Sequence, residues 1–405
     1  MERVVITGFA RTPIGAFLGG LKTVPVQDLA TLAVKEALQR AAVERKYVDE
    51  VIIGHVISTP EAGNIGRRVA LQAGLGLGVT GFTVNRICGS GIQAVLSGAQ
   101  EIRTGMSEVV VAAGAESLSR VPYYLPLPTR YQGLRNMNYT LYCSNDEYAK
   151  HTAPEDIYPI FSMGDTAENI VEKYEISRED SDSFAYRSQM RAKTAMENGR
   201  FAKEIIPVEI KTKKETILID KDEHAKPNTT LEGLAKLKPV FKQGGAVTAG
   251  NSSGMNDAAA AVVLMSERKC RELGCTPLAY VGETALDGVD PTIMGMGPVG
   301  AIQKLLKKTG LSYEDIDVLE INEAFAAQVL GCMKELGHYI GAPLYDRLNP
   351  NGGAVALGHP LGMTGIRLVG TTVFELLEQK ARYGIASACI GGGQGIAMLL
   401  ERYEA

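Results

Sequence analysis

Apolar runs alternate with amphipathic segments along this chain, and the two patterns recur in a regular order. Short runs rich in Val and Ile are typical of buried strands, whereas apolar residues spaced three and four apart are typical of helices. The pattern predicts strands near 4–9, 50–56, 82–87, 108–114, 277–284, 316–323 and 384–390. It predicts helices near 26–43, 64–75, 90–104, 298–309, 324–336 and 363–379. This alternation indicates the α/β class.

The order of elements before residue 118 is repeated after residue 270. A helix followed by V-D-E-V-I-I-G at 48–54 matches a helix followed by I-D-V-L-E-I-N at 316–322. An internal duplication is the simplest explanation, with two similar halves packed about a pseudo-twofold axis. The alternative is a coincidental similarity between ordinary βα units.

The segment between the halves has a different composition. Residues 121–139 read V-P-Y-Y-L-P-L-P-T-R-Y-Q-G-L-R-N-M-N-Y, and 209–243 hold many lysines with little periodicity. Long insertions of this kind usually form binding sites or subunit contacts. The predicted first half comprises residues 1–117 plus about 247–270. The inserted loop domain comprises residues 118–246, and the second half comprises residues 271–405.

Composition narrows the class of protein. The 405 residues are 45% hydrophobic and 22% charged, as expected for a globular chain with more than one subdomain. A net charge of -4 argues against nucleic acid and anionic membranes as partners. No stretch reaches the roughly 18 consecutive apolar residues of a membrane helix, and no signal segment opens the chain. The six cysteines lack paired C-x-x-C spacing, so we expect free thiols and a cytoplasmic location.

Two cysteines occupy chemically useful positions. Cys88 in N-R-I-C-G-S-G and Cys389 in C-I-G-G-G-Q-G each end an apolar run and begin a glycine-rich turn. A cysteine between a strand and a helix meets unpaired backbone N–H groups and the positive end of the helix dipole, which favour the thiolate. The same N–H groups can stabilise an oxyanion. A buried, unreactive cysteine is the alternative at either position.

Histidine 359 lies in G-H-P at 358–360. Pro360 disfavours the helical region for His359 and can occupy the first turn of the following helix. The imidazole is then presented at a helix start, where it can accept a proton from a thiol. If the two halves pack as predicted, loops at equivalent strand ends bring Cys88, Asn322, His359 and Cys389 together. A histidine that caps a turn is the alternative, and no neighbouring ligands indicate a metal site.

Five motifs, in this order, resemble the thiolases, which are acyl-CoA acyltransferases. They are N-R-I-C-G-S-G (85–91), G-A-V-T-A-G-N-S-S-G-M-N-D-A-A-A (245–260), N-E-A-F-A (322–326), N-G-G-A-V-A-L-G-H-P-L-G-M-T-G (351–365) and C-I-G-G-G-Q-G (389–395). The resemblance spans essentially the whole chain. It implies duplicated βαβ halves in a layered α/β/α/β/α core with an inserted loop domain. It also implies ping-pong condensation of two acetyl-CoA to acetoacetyl-CoA and coenzyme A, and the reverse thiolysis.

The resemblance also implies catalytic roles. Cys88 carries the acyl group, and His359 accepts its thiol proton. Cys389 removes a proton from the second acetyl-CoA or, in thiolysis, from the thiol of coenzyme A. Asn322 fixes a water that, with the ring N–H of His359, stabilises an enolate, while the N–H groups of Cys88 and Gly391 hold the acyl oxygen. Glu323 is expected to be a buried orienting group.

Further positions match those that contact coenzyme A in similar enzymes. The positions that line the pantetheine and acyl ends, or make apolar contacts there, are Ser253, Ala249, Phe241, Ala324, Phe325, Leu234, Met255 and Met163. Lys226 lies where the family often has a basic residue near the phosphates, although most lysines are simply exposed. Phe241, Phe325 and Met163 are equally compatible with core packing. Ser162 departs from the His that short-chain members often have, which leaves acetyl specificity open.

The expected partners are therefore acetyl-CoA, acetoacetyl-CoA and coenzyme A, with no cofactor beyond the thioester substrate, no metal, no nucleic acid and no membrane. The resemblance implies a homodimer or homotetramer, and the loop at 121–143 resembles the segment with which tetrameric members assemble. Two other functions remain open. One is a 3-ketoacyl-CoA thiolase for longer chains, and the other is a non-catalytic relative that binds acyl-CoA or lipid.

Overall fold

The computed structural model describes residues 2–125, 128–133 and 138–404, which contain fourteen strands and fourteen α-helices. The strands are Val4–Arg11 (β1), Gly15–Ala16 (β2), Glu50–Gly54 (β3), Thr80–Val84 (β4), Val109–Ser117 (β5), Tyr123–Tyr124 (β6), Tyr142–Cys143 (β7), Val208–Lys211 (β8), Thr216–Ile219 (β9), Asn256–Ser266 (β10), Ala279–Gly288 (β11), Val318–Ile321 (β12), Tyr383–Ile390 (β13) and Gln394–Arg402 (β14). The helices are Val26–Arg40 (α1), Ile65–Gln72 (α2), Ser90–Thr104 (α3), Pro128–Gln132 (α4), Ser144–Lys150 (α5), Met163–Tyr174 (α6), Arg178–Glu197 (α7), Leu231–Ala235 (α8), Glu267–Leu273 (α9), Gly297–Thr309 (α10), Ala326–Glu335 (α11), Pro343–Arg347 (α12), Ala354–Leu357 (α13) and Leu361–Gln379 (α14).

The strand order repeats within one mixed sheet. The order is β12-β13-β14-β11-β1-β10-β5-β3-β4, with β2 beside β10. The run β3-β5-β10-β1 matches β12-β13-β14-β11, because β3–β5 and β12–β13 are parallel and the other neighbours are antiparallel. Within the sheet of the described residues, the two halves pair at two positions, between β1 and β11. The topology therefore contains the predicted duplication.

The apolar core has the layers expected of this duplication. Successive strand residues point to opposite faces, so Ile6 packs in a central cluster while Val5 packs in an outer one. The central cluster holds α3 and α14, which lie between the two halves of the sheet. α1 and α2 cover the outer face of the first half, and α10 and α11 cover that of the second. This is the α/β/α/β/α arrangement that the sequence predicts.

The inserted region lies outside the main sheet. Within its described residues, it contributes two hairpins, β6–β7 and β8–β9, together with α4 to α8. Arg11 of β1 joins the inserted region to the main sheet, because its buried guanidinium donates to Glu204 at 2.8 Å and to Asp222 at 2.7 Å. Part of the predicted assembly loop at 121–143, namely 126–127 and 134–137, lies outside the described residues. None of the helices described is long and apolar enough to cross a bilayer.

Candidate active site

The turn that carries Cys88 joins β4 to α3. The predicted strand at 82–87 ends at Val84, and Ile87 takes a left-handed conformation with φ of 46°. Side chains hold the turn, since Asn85 accepts the N–H of Ile87 at 2.9 Å and Ser90 accepts that of Arg86 at 2.8 Å. Cys88 therefore lies two residues before the first residue of α3, almost fully buried.

Cys389 comes to the same place from the other half. It lies in β13, and the turn at 391–393 leads into β14 rather than into a helix. Gly392 and Gly393 have φ of 81° and 83°, a region that few side chains tolerate. The turn brings the N–H of Gly391 near the sulfur of Cys88, where it lowers the pKa of that thiol. The two thiols are close enough that a charge on Cys88 raises the pKa of Cys389.

Hydrogen bonds hold both the backbone and the ring of His359. Its N–H donates to Oδ1 of Asn256 at 3.0 Å, and its Nδ1 lies 2.7 Å from Oγ1 of Thr364. The Thr364 hydroxyl donates to the carbonyl of Pro360 at 3.2 Å. Because that hydroxyl has one proton, it accepts from Nδ1–H, and this network assigns the lone pair to Nε2. His359 can thus accept a proton at Nε2.

Asn322 lies beside that lone pair. Its Nδ2 is 3.4 Å from Nε2 of His359, and its Oδ1 is buried without a partner among the described residues. The next residue, Glu323, accepts hydrogen bonds from Ser188 at 2.6 Å and Asn349 at 2.8 Å. Glu323 therefore orients the loop and is not aimed at the reacting groups, as expected from the sequence.

The protonation states correct one expectation. Burial raises the pKa of Cys88 to about 11, and the N–H of Gly391 offsets this only in part. Burial, followed by the charge of Arg367, lowers the pKa of His359 to about 4. At neutral pH the site holds a thiol and a neutral imidazole. The prediction that the helix start favours a thiolate is wrong for the resting protein, because lost solvation outweighs the dipole.

The Cys389 thiol is also weakly acidic. Burial is the main cause, with smaller contributions from Cys88 and Cys332, and it raises the pKa of Cys389 well above the ordinary value. A scarce thiolate of this kind is also a strong base. Such a base suits proton removal from the carbon next to a thioester, which is a weak acid.

Several predicted contacts for coenzyme A gather around Cys389. Met163, Ala324 and Phe325 share one apolar cluster with its side chain. The ring of Phe241 meets that of Phe325 edge to face, with the centroids 6.2 Å apart. Ser253 joins the group because its N–H donates to the carbonyl of Ala324 at 3.0 Å.

The remaining predicted contacts lie further along the same loops. Leu234 is buried and packs against Gly250, next to the exposed Ala249. Met255 is 41% exposed and accepts a hydrogen bond from Asn145. Lys226 is exposed, and its charge contributes to lowering the pKa of His224. The metal prediction stays untested, although no cluster of three potential ligands occurs among the residues described.

Sequence reasoning missed three residues that hold the site. Thr364 and Asn256 fix His359, and both lie within motifs quoted above without an assigned role. His224 packs its ring on Gly254, whose carbonyl accepts the N–H of His359. No helical spacing indicated Thr364, since it lies five residues after His359 rather than three or four.

A cavity of about 670 Å³ lies beside the Cys88 turn. Ile87 and Thr152 line it. The methyl group of Thr152 lies 3.5 Å from where a Cβ atom on Gly391 would be. Tyr148 forms another wall, with its hydroxyl 3.2 Å from Nδ2 of Asn85. Burial, and less strongly the charges of Glu116 and a Cys88 thiolate, raise the pKa of Tyr148. The cavity is therefore close to the nucleophile.

Comparison with known proteins agrees with this geometry. Models for the thiolase N-terminal and C-terminal domains match residues 4–268 and 275–402. The chain is 44% identical to the acetyl-CoA acetyltransferase of Syntrophomonas wolfei over 99% of both proteins.

Two solved structures extend the likeness. The acetyl-CoA acetyltransferase of Bacillus anthracis has a TM-score of 0.93 at 45% identity, covering 100% of this chain and 99% of that one. Human mitochondrial 3-ketoacyl-CoA thiolase in complex with CoA has a TM-score of 0.92 at 42% identity, covering 99% and 98%. The predicted fold is confirmed, and the chain belongs to the thiolase family.

Proposed function

We propose that this thiolase is an acetyl-CoA C-acetyltransferase, which joins two acetyl-CoA into acetoacetyl-CoA and coenzyme A and catalyses the reverse thiolysis. The observation that carries the proposal is the meeting of two buried thiols, Cys88 and Cys389, at the turn of Gly391. Acyl transfer needs one nucleophile, and carbon–carbon bond formation needs a separate base. The names of the similar proteins support the same activity.

In the first half-reaction, the sulfur of Cys88 attacks the thioester carbon while Nε2 of His359 takes its proton. The N–H groups of Cys88 and Gly391 stabilise the acyl oxygen. Coenzyme A leaves as a thiolate and takes the proton of Cys389. The products are acyl-Cys88, an imidazolium, a Cys389 thiolate and free coenzyme A.

In the second half-reaction, the Cys389 thiolate removes a proton from the methyl group of acetyl-CoA. The new N–H at Nε2 of His359, and a water held by Asn322, stabilise the enolate. The enolate carbon attacks the acyl carbon, and Cys88 leaves and regains its proton from His359. The site returns to its neutral state, which fits the low pKa of His359.

Residues 118–246 act, in this proposal, as a loop domain that binds coenzyme A. The apolar cluster around Met163 and Phe325 supports a pantetheine slot next to Cys389. Phe241, Leu234, Ala249, Ser253, Ala324 and Met255 extend the slot, and the exposed Lys226 meets the phosphates. The thioester is the substrate and no further cofactor is used. We also propose a cytoplasmic homodimer or homotetramer, for which light scattering on a variant shortened within 121–143 is the test; an unchanged tetramer contradicts the role of that loop.

The activity can be tested by incubating the purified protein with acetoacetyl-CoA and coenzyme A and measuring acetyl-CoA by chromatography. Wild type and Cys275→Ser are expected to form acetyl-CoA at similar rates, because Cys275 lies by α9, away from the site. Cys88→Ser is expected to lose the activity. Near-normal turnover in Cys88→Ser refutes the proposal. Tight binding of acyl-CoA without turnover by the wild type would instead indicate a non-catalytic carrier.

A second candidate is a 3-ketoacyl-CoA thiolase for longer chains. The cavity of about 670 Å³ beside the Cys88 turn favours it, since pockets of about 300–1,000 Å³ hold ligands much larger than an acetyl group. A series of 3-ketoacyl-CoA substrates of increasing chain length decides between the two candidates.

A further inference from the structure

The helices that follow Cys88 and His359 touch through their backbones. A Cβ atom on Gly91, in the first turn of α3, would lie only 2.5 Å from the backbone nitrogen of Ile366 in α14. Gly365 makes the reciprocal approach to Ile92. The helices that follow Cys88 and His359 therefore hold a fixed position relative to each other.

One buried carboxylate ties the first turn of α14 to the sheet. Glu116 is the penultimate residue of β5, and 1% of its surface is exposed. Its Oε2 accepts the N–H of Val56 and that of Gly362, both at 3.0 Å, and its Oε1 accepts that of Ile57 at 3.1 Å. Gly362 is three residues after His359, so the carboxylate joins the ends of β3 and β5 to the segment that carries the imidazole.

His55 supplies a counter-charge to this carboxylate. Its Nδ1 lies 3.2 Å from Oε1 of Glu116 and 2.9 Å from the carbonyl of Ala115. Burial opposes the imidazolium, but Glu116 and the carbonyl outweigh it and raise the pKa of His55. Burial likewise opposes the carboxylate, but His55 and the backbone donors keep the pKa of Glu116 low. The raised pKa of His55 and the lowered pKa of Glu116 favour an imidazolium beside the carboxylate, with Nε2 of His55 buried and without a partner among the described residues.

We propose that Glu116, with His55 as its counter-charge, is a positioning residue that holds His359 in place against Cys88. Glu116 acts through Gly362 and does not touch the reacting atoms. This inference rests on the proposed roles of Cys88 and His359. It predicts that loss of the carboxylate changes kcat rather than the KM for acetyl-CoA, since its contacts lie outside the proposed pantetheine slot. Val56 and Ile57 line only the cavity proposed for longer acyl tails.

Four variants separate positioning from general destabilisation. Glu116→Gln keeps the side-chain shape but places an amide NH2 donor against backbone N–H donors. Glu116→Asp keeps the negative charge on a shorter side chain. Asp49→Asn is the matched control, because Asp49 accepts two backbone N–H groups, at 2.8 and 2.9 Å, at the opposite end of β3 and β5. His55→Asn removes only the counter-charge.

We expect Glu116→Gln to lower kcat by about 10- to 100-fold with KM within about twofold, because small misplacements of reacting groups have effects of this size. Glu116→Asp is expected to recover part of the loss, and Asp49→Asn to match wild type. A folded Glu116→Gln protein with wild-type kcat overturns the proposal. Equal losses in Glu116→Gln and Asp49→Asn overturn it as well.

The charges of His55 and Glu116 can be tested separately, through the pH dependence of Cys88 alkylation by iodoacetamide. Peptide mass spectrometry measures the alkylation. Other charged or titratable groups around the pair are Cys88, Tyr148, His359 and Arg367. Without His55, the charge of the Glu116 carboxylate is uncompensated and raises the pKa of Cys88 further. His55→Asn is therefore expected to shift alkylation to higher pH. Glu116→Gln is expected to shift it to lower pH.

Opposite shifts support the ion pair, whereas shifts of the same sign, or none in either variant, contradict it. If Glu116→Gln does not fold, His55→Asn alone is the test: a shift of Cys88 alkylation to higher pH supports the ion pair, and no shift or the opposite shift contradicts it. Alkylation needs no turnover, so failure of this inference is distinguishable from failure of the proposed function, which appears as missing thiolysis in the wild type.

Discussion

Nδ1 of His359 lies 2.7 Å from Oγ1 of Thr364, one turn into the helix that follows the histidine. Since the hydroxyl donates to the carbonyl of Pro360, it accepts the ring N–H and leaves the lone pair on Nε2. The side of the imidazole that accepts a proton is therefore set by a residue that does not touch the substrate.

Thr364→Val removes this hydrogen bond while keeping the side-chain shape. We expect kcat for thiolysis to fall by about 10- to 100-fold, because the imidazole loses its preferred tautomer and orientation. Thr372→Val is the matched control, since the Thr372 hydroxyl makes a buried bond to Leu368 two turns later in α14. Steady-state kinetics of both variants makes the comparison, and equal kcat values in the two would contradict the assignment.

The resting protein is expected to lack a thiolate–imidazolium pair. The pKa of Cys88 is raised to about 11 and that of His359 is lowered to about 4, so the thiolate grows only as pH rises. Alkylation of Cys88 should therefore increase by about tenfold per pH unit between about pH 6 and 9.

The readout is the alkylation rate of the Cys88 peptide by mass spectrometry, with the Cys143 peptide as an internal reference for a less buried thiol. A plateau of fast alkylation between about pH 5 and 8 would indicate a preformed ion pair and contradict the neutral resting site.

Tyr148 is expected to limit acyl chain length. Its ring walls the cavity beside the Cys88 turn, so Tyr148→Ala should enlarge the space for the acyl tail. We expect the ratio of kcat/KM for eight-carbon over four-carbon 3-ketoacyl-CoA to rise by about tenfold, which corresponds to burial of about two of the additional methylenes at about 0.8 kcal/mol each. Tyr148→Phe keeps the ring and should keep the wild-type ratio. If the two variants give the same ratio, the acyl tail does not enter this cavity.

The sequence predicted most helices and strands because each half repeats one α/β pattern. Helix α3 begins at Ser90, where its glycine-rich turn indicated, but the strand before it ends three residues early. Phe82, Val84 and Ile87 made a strand over 82–87 plausible from the sequence. Side-chain hydrogen bonds from Asn85 and Ser90 close the turn instead, and periodicity does not register such bonds.

The site was predictable where motifs name the reacting residues and not where distant segments meet. Cys88, Asn322, His359 and Cys389 lie in recognisable motifs. The structure brings Asn322 beside His359 and Cys88 near Cys389. The bond from Gly362 to Glu116 spans 246 positions, and no local pattern indicates it. The loss of solvation that reverses the expected Cys88 ionisation likewise depends on the packed structure.

The central claim is that Cys88 carries the acyl group while Cys389 moves the proton. Cys389→Ala keeps the nucleophile and removes the base of the second step. The proton that His359 takes from Cys88 remains available to the leaving coenzyme A, so incubation with acetyl-CoA should leave a trapped intermediate. Peptide mass spectrometry is predicted to find one acetyl group on the peptide that contains Cys88, and none on that position in Cys88→Ser. Absence of an acetyl group on Cys88, in a preparation whose wild type forms acetyl-CoA from acetoacetyl-CoA, would contradict the account.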